Sequence, residues 1–323
     1  MNLHENKDAF AAAIQLASTP KQEGGLGIKQ IYIEKDHWIC RSLKQLSECK
    51  ESEVAVFKGG TSLSKAYLLG NRFSEDIDIA ITSDSQRTDN QTKNIISRIS
   101  KVMSAGLEEV PNPATRKYSK YRKAFYRYPV SIENEIIGAI NPGQILLEIV
   151  SFANPYPYQK VFIKSFLTEY LENVGRNDII EAYGMQGFEI QVLAKSRTAT
   201  EKLVSLIRHS LSADYISELK AKIRHFYDLY FLWNDPESRA YLESAEFKTD
   251  FKALISSDQA RFKEPEGWCD KKVSDSPLIS SFDIVWSELQ ETYSKELPEL
   301  AYQAIPSPES VAESFKELSV LLI

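Results

Sequence analysis

The chain has 323 residues, of which 43% are hydrophobic and 26% charged, with a formal net charge of −6. That length suits two domains with ordinary cores, and the composition excludes wholesale disorder and a strongly basic nucleic-acid coat. No apolar run approaches the ~18 residues of a membrane span, the polar start from Met1 to Lys7 is no signal peptide, and Cys40, Cys49 and Cys269 form no Cys-x-x-Cys pair, which argues against disulfide scaffolds and zinc clusters.

In chain order, residues 6 to 17 and 34 to 49 read as helices, with Glu34, Lys35 and Asp36 near the start of the second. Residues 54 to 57 read as a short strand that feeds Lys58-Gly59-Gly60-Thr61-Ser62. Thr61 and Ser62 then open a helix with Leu63, Ala66 and Tyr67 on one side. The stretch Arg72-Phe73-Ser74-Glu75-Asp76-Ile77-Asp78-Ile79 follows, and its alternation through Ile81 predicts a strand. A polar loop from 82 to 92 leads to a helix ending near 107. Strands are expected over 123–132 and 144–152, separated by turn signals at Glu133-Asn134 and Asn141-Pro142-Gly143. Pro155 and Pro157 place a domain boundary near 156, giving domains 1–155 and 156–323. Beyond a mixed segment to about 195, helices are expected over 199–211 and 215–233, with several more to follow. Ser307 as N-cap and Pro308 at the first helical position open the last of them. There is no internal repeat.

Two features in this order point to chemistry. A glycine pair lets the backbone approach a triphosphate and aim N–H groups at it. Asp76 and Asp78, one residue apart in a strand, project to the same face. Two carboxylates on one face can hold Mg²⁺ for an in-line displacement at phosphorus. Each feature alone is ordinary: a Gly-Gly is usually a turn and an Asp-x-Asp a solvated strand end. No Gly-x-x-x-x-Gly-Lys-[Ser/Thr] run is present, so this is not a P-loop.

These residues resemble the AbiEii/AbiGii nucleotidyltransferase toxin family of the DNA-polymerase-β-like superfamily. The resemblance rests on Ile33-Glu34-Lys35-Asp36-His37-Trp38, Phe57 to Ser62, Arg72 to Ile79, Thr200-Glu201-Lys202-Leu203 and Arg224-His225-Phe226-Tyr227-Asp228-Leu229. It implies an α+β fold, with a polymerase-β-like core of mixed sheet and helices and a mainly helical C-terminal domain. It also implies an enzyme that moves a nucleoside monophosphate from an NTP to RNA, the tRNA 3′ end in particular. Mg²⁺ would be the cofactor, with Mn²⁺ as an alternative. Growth arrest would be the outcome, a separately encoded antitoxin the partner, and the bacterial cytoplasm the location. A lysine such as Lys202 could reach the triphosphate, with Asp228 orienting either Lys202 or a metal-bound water; by the resemblance both are needed for activity, and Ser74 matters for activity or its control. From spacing alone, Asp228 reads as a helix pair with Arg224.

Gly59, Gly60, Thr61 and Ser62 are expected to cradle phosphates, with Lys58 as a further phosphate contact. Glu148, inside the apolar run Ile145 to Val150, is the candidate third carboxylate, because an unpaired acid is costly to bury there; the alternative is an edge-strand acid facing water. Glu34 and Asp36 are expected to brace the fold. Residues 116–128 contain basic and aromatic side chains but no acid. They read either as a strand pair with packed tyrosines and solvated lysines or as an RNA contact through Lys120, Arg122 and Lys123. Two other functions remain open: an enzyme that modifies protein, including its own Ser74, and a non-catalytic binding module.

Overall fold

A computed structural model describes residues 1–132, 142–152 and 154–323; the expected turn residues Glu133, Asn134 and Asn141 lie outside the described residues. One compact unit comprises Met1–Leu68 and Phe73–Leu193. Its strands are β1 (Ala55–Lys58), β2 (Asp76–Ile81), β3 (Glu108–Val110), β4 (Arg116–Lys117), β5 (Tyr121–Arg127), β6 (Gln144–Val150), β7 (Tyr158–Ile163) and β8 (Phe188–Leu193). They form one mixed sheet in the order β3-β5-β6-β2-β1-β8-β7, with β4 pairing β5 off that path. The pairs β2–β6 and β1–β8 are parallel and the others antiparallel.

The alternation in β2 works as the sequence predicts. Ile77, Ile79 and Ile81 are buried, while Asp76 and Asp78 point the other way and are half-buried. On β6, Ile145, Leu147 and Ile149 are likewise buried and Leu146 and Glu148 half-buried. The apolar face is packed by α2 (Gln30–Ser47) and α4 (Asp89–Met103). From Ile31 to Cys40 every residue of α2 is buried, which makes it the central helix of this unit. The remaining helices of the unit are α1 (Lys7–Ser18), α3 (Gly59–Ala66), α5 (Phe166–Asn173) and α6 (Asn177–Ala182).

The boundary expected near 156 falls instead at Leu193/Ala194. The prolines do interrupt the chain, but β7 and β8 follow them and complete the sheet through the β1–β8 pairing, so 158–193 belongs with the first unit. The basic segment 116–128 is a strand pair, β4 with β5, whose strand ends at Arg127 rather than at 132.

The second unit comprises Leu69–Arg72 and Ala194–Ile323. Its helices are α7 (Lys195–Ser210), α8 (Tyr215–Lys220), α9 (Ile223–Asn234), α10 (Pro236–Leu242), α11 (Ala245–Arg261), α12 (Pro277–Ser280), α13 (Phe282–Leu300) and α14 (Pro308–Val320). The single helix expected over 215–233 is thus two. Phe226 on α9 packs against Trp286 and Phe315, with ring centroids 5.4 and 4.9 Å away. The last helix starts as predicted: Ser307 accepts the Ser310 N–H and Pro308 occupies the first turn. Among the described residues, no helix is long and apolar enough to cross a membrane.

Candidate active site

The glycine pair sits where β1 ends and α3 begins. Gly59 has φ +83°, a conformation that costs glycine little and other residues much. A Cβ there would overlap the carboxylate of Asp78, so the backbone passes directly beside that side chain. Thr61, one turn into α3, donates to the carbonyl of Asp76 at 2.5 Å, and its oxygen is 3.0 Å from Ser74 Oγ. Ser62 donates back to the Gly59 carbonyl at 2.8 Å. The helix start and the carboxylate strand are therefore tied together, with Ser74 at the junction. The hydroxyls of Thr61 and Ser62 are used in these internal bonds.

Strand register assembles the rest of the face. Lys58 is opposite Asp78, Asp78 is beside Glu148, Glu148 is opposite Lys123, and Lys123 is opposite Arg116. Residues so paired project to one face of a sheet. Asp76, two residues from Asp78, is on that face too. The placement of Glu148 beside Asp78 decides against the edge-strand alternative, because β6 is interior to the sheet. Lys123 Nζ lies 3.9 Å from Glu148. Tyr121 lies two residues from Lys123 on the same side, and burial together with the nearby Glu148 carboxylate pushes its phenol well above the usual range.

Among the described residues, no three His, Cys, Asp or Glu side chains converge into a closed metal cage. Mg²⁺ needs none: it keeps several waters and is commonly held by one or two carboxylates together with substrate phosphates. Asp76 and Asp78, with Glu148 alongside, are oxygen donors of that kind.

The Glu34-Lys35-Asp36 run of α2 is buried, as bracing residues would be, and each member has a partner. Glu34 accepts the Ser131 N–H at 2.6 Å, and burial raises its carboxyl to about 7. Lys35 pairs with Glu75 at 2.5 Å. Asp36 meets Lys65 of α3 at 2.6 Å and accepts the Phe166 N–H at 2.7 Å. These pairs anchor α3 and the segment before β2 to the central helix. The expectation that Glu34 and Asp36 lie at a helix terminus is corrected, since α2 begins at Gln30.

Within the second unit, Asp228 is the hub of a buried ion cluster. Arg72 meets it through Nε at 2.8 Å and Nη2 at 2.7 Å, and Lys202 Nζ lies 2.8 Å from Oδ2. Burial alone would raise the carboxyl, but the two cations hold it well below the usual range. The helix pair with Arg224 is thereby corrected: the partners of Asp228 are Arg72 and Lys202. Spacing had no means of finding Arg72, which stands 156 residues away.

The three expected RNA contacts separate. Lys123 belongs to the carboxylate row, whereas Arg122 is opposite Ile149 on the helix-covered face, and its Nε is buried without a hydrogen-bond partner. Lys120 lies in the turn between β4 and β5 and pairs with Asp89 at 2.9 Å. Sequence reasoning did not single out Tyr121 or Arg116, whose common face appears only once β4, β5 and β6 are in register.

Among curated proteins a sequence comparison finds no match. In fold, the chain is similar to the nucleotidyltransferase toxin MenT4 of Mycobacterium tuberculosis H37Rv, at TM-score 0.51 and 16% identity over 97% of this chain and 98% of that one. A candidate nucleotidyltransferase of Helicobacter pylori gives TM-score 0.45 and 16% identity over 91% of this chain and 96% of that one. JHP933 of the same species gives 0.43 and 15% over 91% and 93%. The family model described as nucleotidyl transferase AbiEii toxin, type IV toxin–antitoxin system, matches residues 41–316. That span takes in both units, and the chain belongs to this family of nucleotidyltransferase toxins.

Proposed function

We propose that this toxin transfers a nucleoside monophosphate from an NTP to the 3′ end of an RNA, specifically tRNA, with Mg²⁺ bound by Asp76 and Asp78. The observation that carries this reading is the half-buried face on which Asp78 and Glu148 stand side by side, with the Gly59 backbone against Asp78. When bound, Mg²⁺ would neutralise the phosphates and lower the barrier to attack. Glu148 is the third acid of that site. The N–H groups at the start of α3, from Gly59 and Gly60 onward, take the outer phosphates, and Lys58 adds a positive charge. Lys202 and Asp228, paired at 2.8 Å within the second unit, are needed for transfer, as the resemblance to the family implies. The RNA 3′-hydroxyl oxygen bonds to the α-phosphorus as the bond to pyrophosphate breaks, and the hydroxyl proton passes to solvent. A separately encoded antitoxin is the partner of such a toxin, and the bacterial cytoplasm is where it meets RNA.

The test is incubation with bulk tRNA, Mg²⁺ and each labelled NTP, with Asp76→Ala as control. Label on RNA from the wild type alone supports the reading, and label on RNA from Asp76→Ala overturns it. A second reading, modification of protein, is favoured by Ser74, whose hydroxyl lies 3.0 Å from Thr61 and two residues before Asp76. Label on the protein and none on RNA would select it.

A further inference from the structure

We propose that the acceptor strand lies over β6, β5 and β4, its terminal base against Tyr121 and Phe152 and its phosphates on Lys123 and Arg116. This rests on the reading above and assigns residues to its acceptor. In-line displacement requires the attacking hydroxyl and the leaving pyrophosphate to stand on opposite sides of the α-phosphorus. The start of α3 extends from β1, which borders β2 on one side. Pyrophosphate departs toward that helix start, so the acceptor approaches from the other side, where β6 and then β5 and β4 follow.

The side chains there suit a single strand. Tyr121 and Phe152 place their rings 6.3 Å apart at an interplanar angle of 36°. Both are half-buried, which leaves ring surface for a base. Tyr121 is opposite Val150, two residues from Glu148 on β6, and two residues from Lys123 on β5, so it stands on the carboxylate face beside the basic flank. Arg116 is exposed, and its Nη1 is fixed by the carbonyls of Pro113 at 2.6 Å and Thr115 at 2.8 Å. Aromatic surface with flanking cations is the usual means of holding unpaired nucleotides. From β2 to β4 is three strand spacings, about 14 Å, which matches roughly four stacked nucleotides. Lys120 and Arg122 are excluded, the first by its place in the turn and the second by its face.

The experiment measures tRNA affinity against salt for the full chain, with transfer kinetics and NTP binding by calorimetry alongside. Arg116→Glu and Phe152→Leu should each raise the tRNA KM about tenfold or more, and Arg116→Glu should lower the salt slope by about one. NTP affinity should not move. Lys120→Glu, equally exposed, should stay within about twofold of wild type. Wild-type tRNA affinity in Arg116→Glu and Phe152→Leu, or an equal loss in Lys120→Glu, overturns the path while transfer to RNA still stands. A wild type that labels protein and not RNA overturns the RNA reading, and this path falls with it.

Discussion

Gly59 runs so close to Asp78 that the glycine hydrogen is the only substituent that fits between its backbone and the carboxylate. The position combines a left-handed φ of +83° with a contact to a proposed metal-binding residue. Gly59→Ala should therefore act twice. The strained φ should cost ~1–2 kcal/mol of stability. Displacement of Asp78 should also lower nucleotide transfer by about a hundredfold, as expected when a reacting group shifts by about an ångström. Melting curves and single-turnover transfer read the two effects separately; transfer at the wild-type rate would show that Asp78 need not hold this position.

Thr61 connects α3 to β2 through the Asp76 carbonyl. Thr61→Val keeps the shape and removes the hydroxyl with its bond to that carbonyl, at a cost of ~0.5–1.5 kcal/mol. Thr61→Ser should restore most of the stability and the activity. Failure of serine to rescue would mean that the methyl group, not the hydrogen bond, holds the junction.

Asp228→Asn should destabilise the second unit by ~3–5 kcal/mol, because two buried cations lose their counter-charge. The carboxyl is held below the usual range in the fold, so its contribution is present above the unfolded value near 3.8 and fades as pH falls below it. The variant should lack that acid-linked loss in urea titrations across acidic pH. Wild-type stability with lost transfer would instead assign Asp228 to catalysis alone.

Glu34 has the opposite sign. Burial raises its carboxyl from 4.5 to about 7, despite the hydrogen bonds from Ser131. Between those values the folded chain keeps a proton that the unfolded chain has released, so stability falls as pH rises through the window. Glu34→Gln keeps an acceptor oxygen for the Ser131 N–H and removes the charge. It should add ~2–3 kcal/mol near pH 8 and little near pH 4.5, read by denaturant melts at both. An unchanged pH slope would refute the assignment.

Much of the site could be read locally. The alternation from Asp76 to Ile81 fixed which side chains share a face, because a strand has a period of two whatever surrounds it. The apolar neighbours of Glu148 marked it as costly to bury without a role, and the order of the motifs matched the family. The domain boundary was misread at Pro155 and Pro157, because prolines show where the chain turns but not whether the next strands rejoin the same sheet. Lys120, Arg122 and Lys123 looked alike as neighbours in sequence, yet β5 sends Arg122 and Lys123 to opposite faces.

The sequence by itself determined the candidate groups: a glycine pair, a carboxylate pair on one strand face, and the lysine and aspartate of two later helices. Tertiary structure decided which groups meet. Asp78 stands beside Glu148, Asp36 meets Lys65, and Asp228 is held by Arg72 and Lys202. Periodicity and capping act over a few residues, so they specify faces and termini. Contacts between distant residues depend on strand order and helix packing, which the burial of the whole apolar face selects.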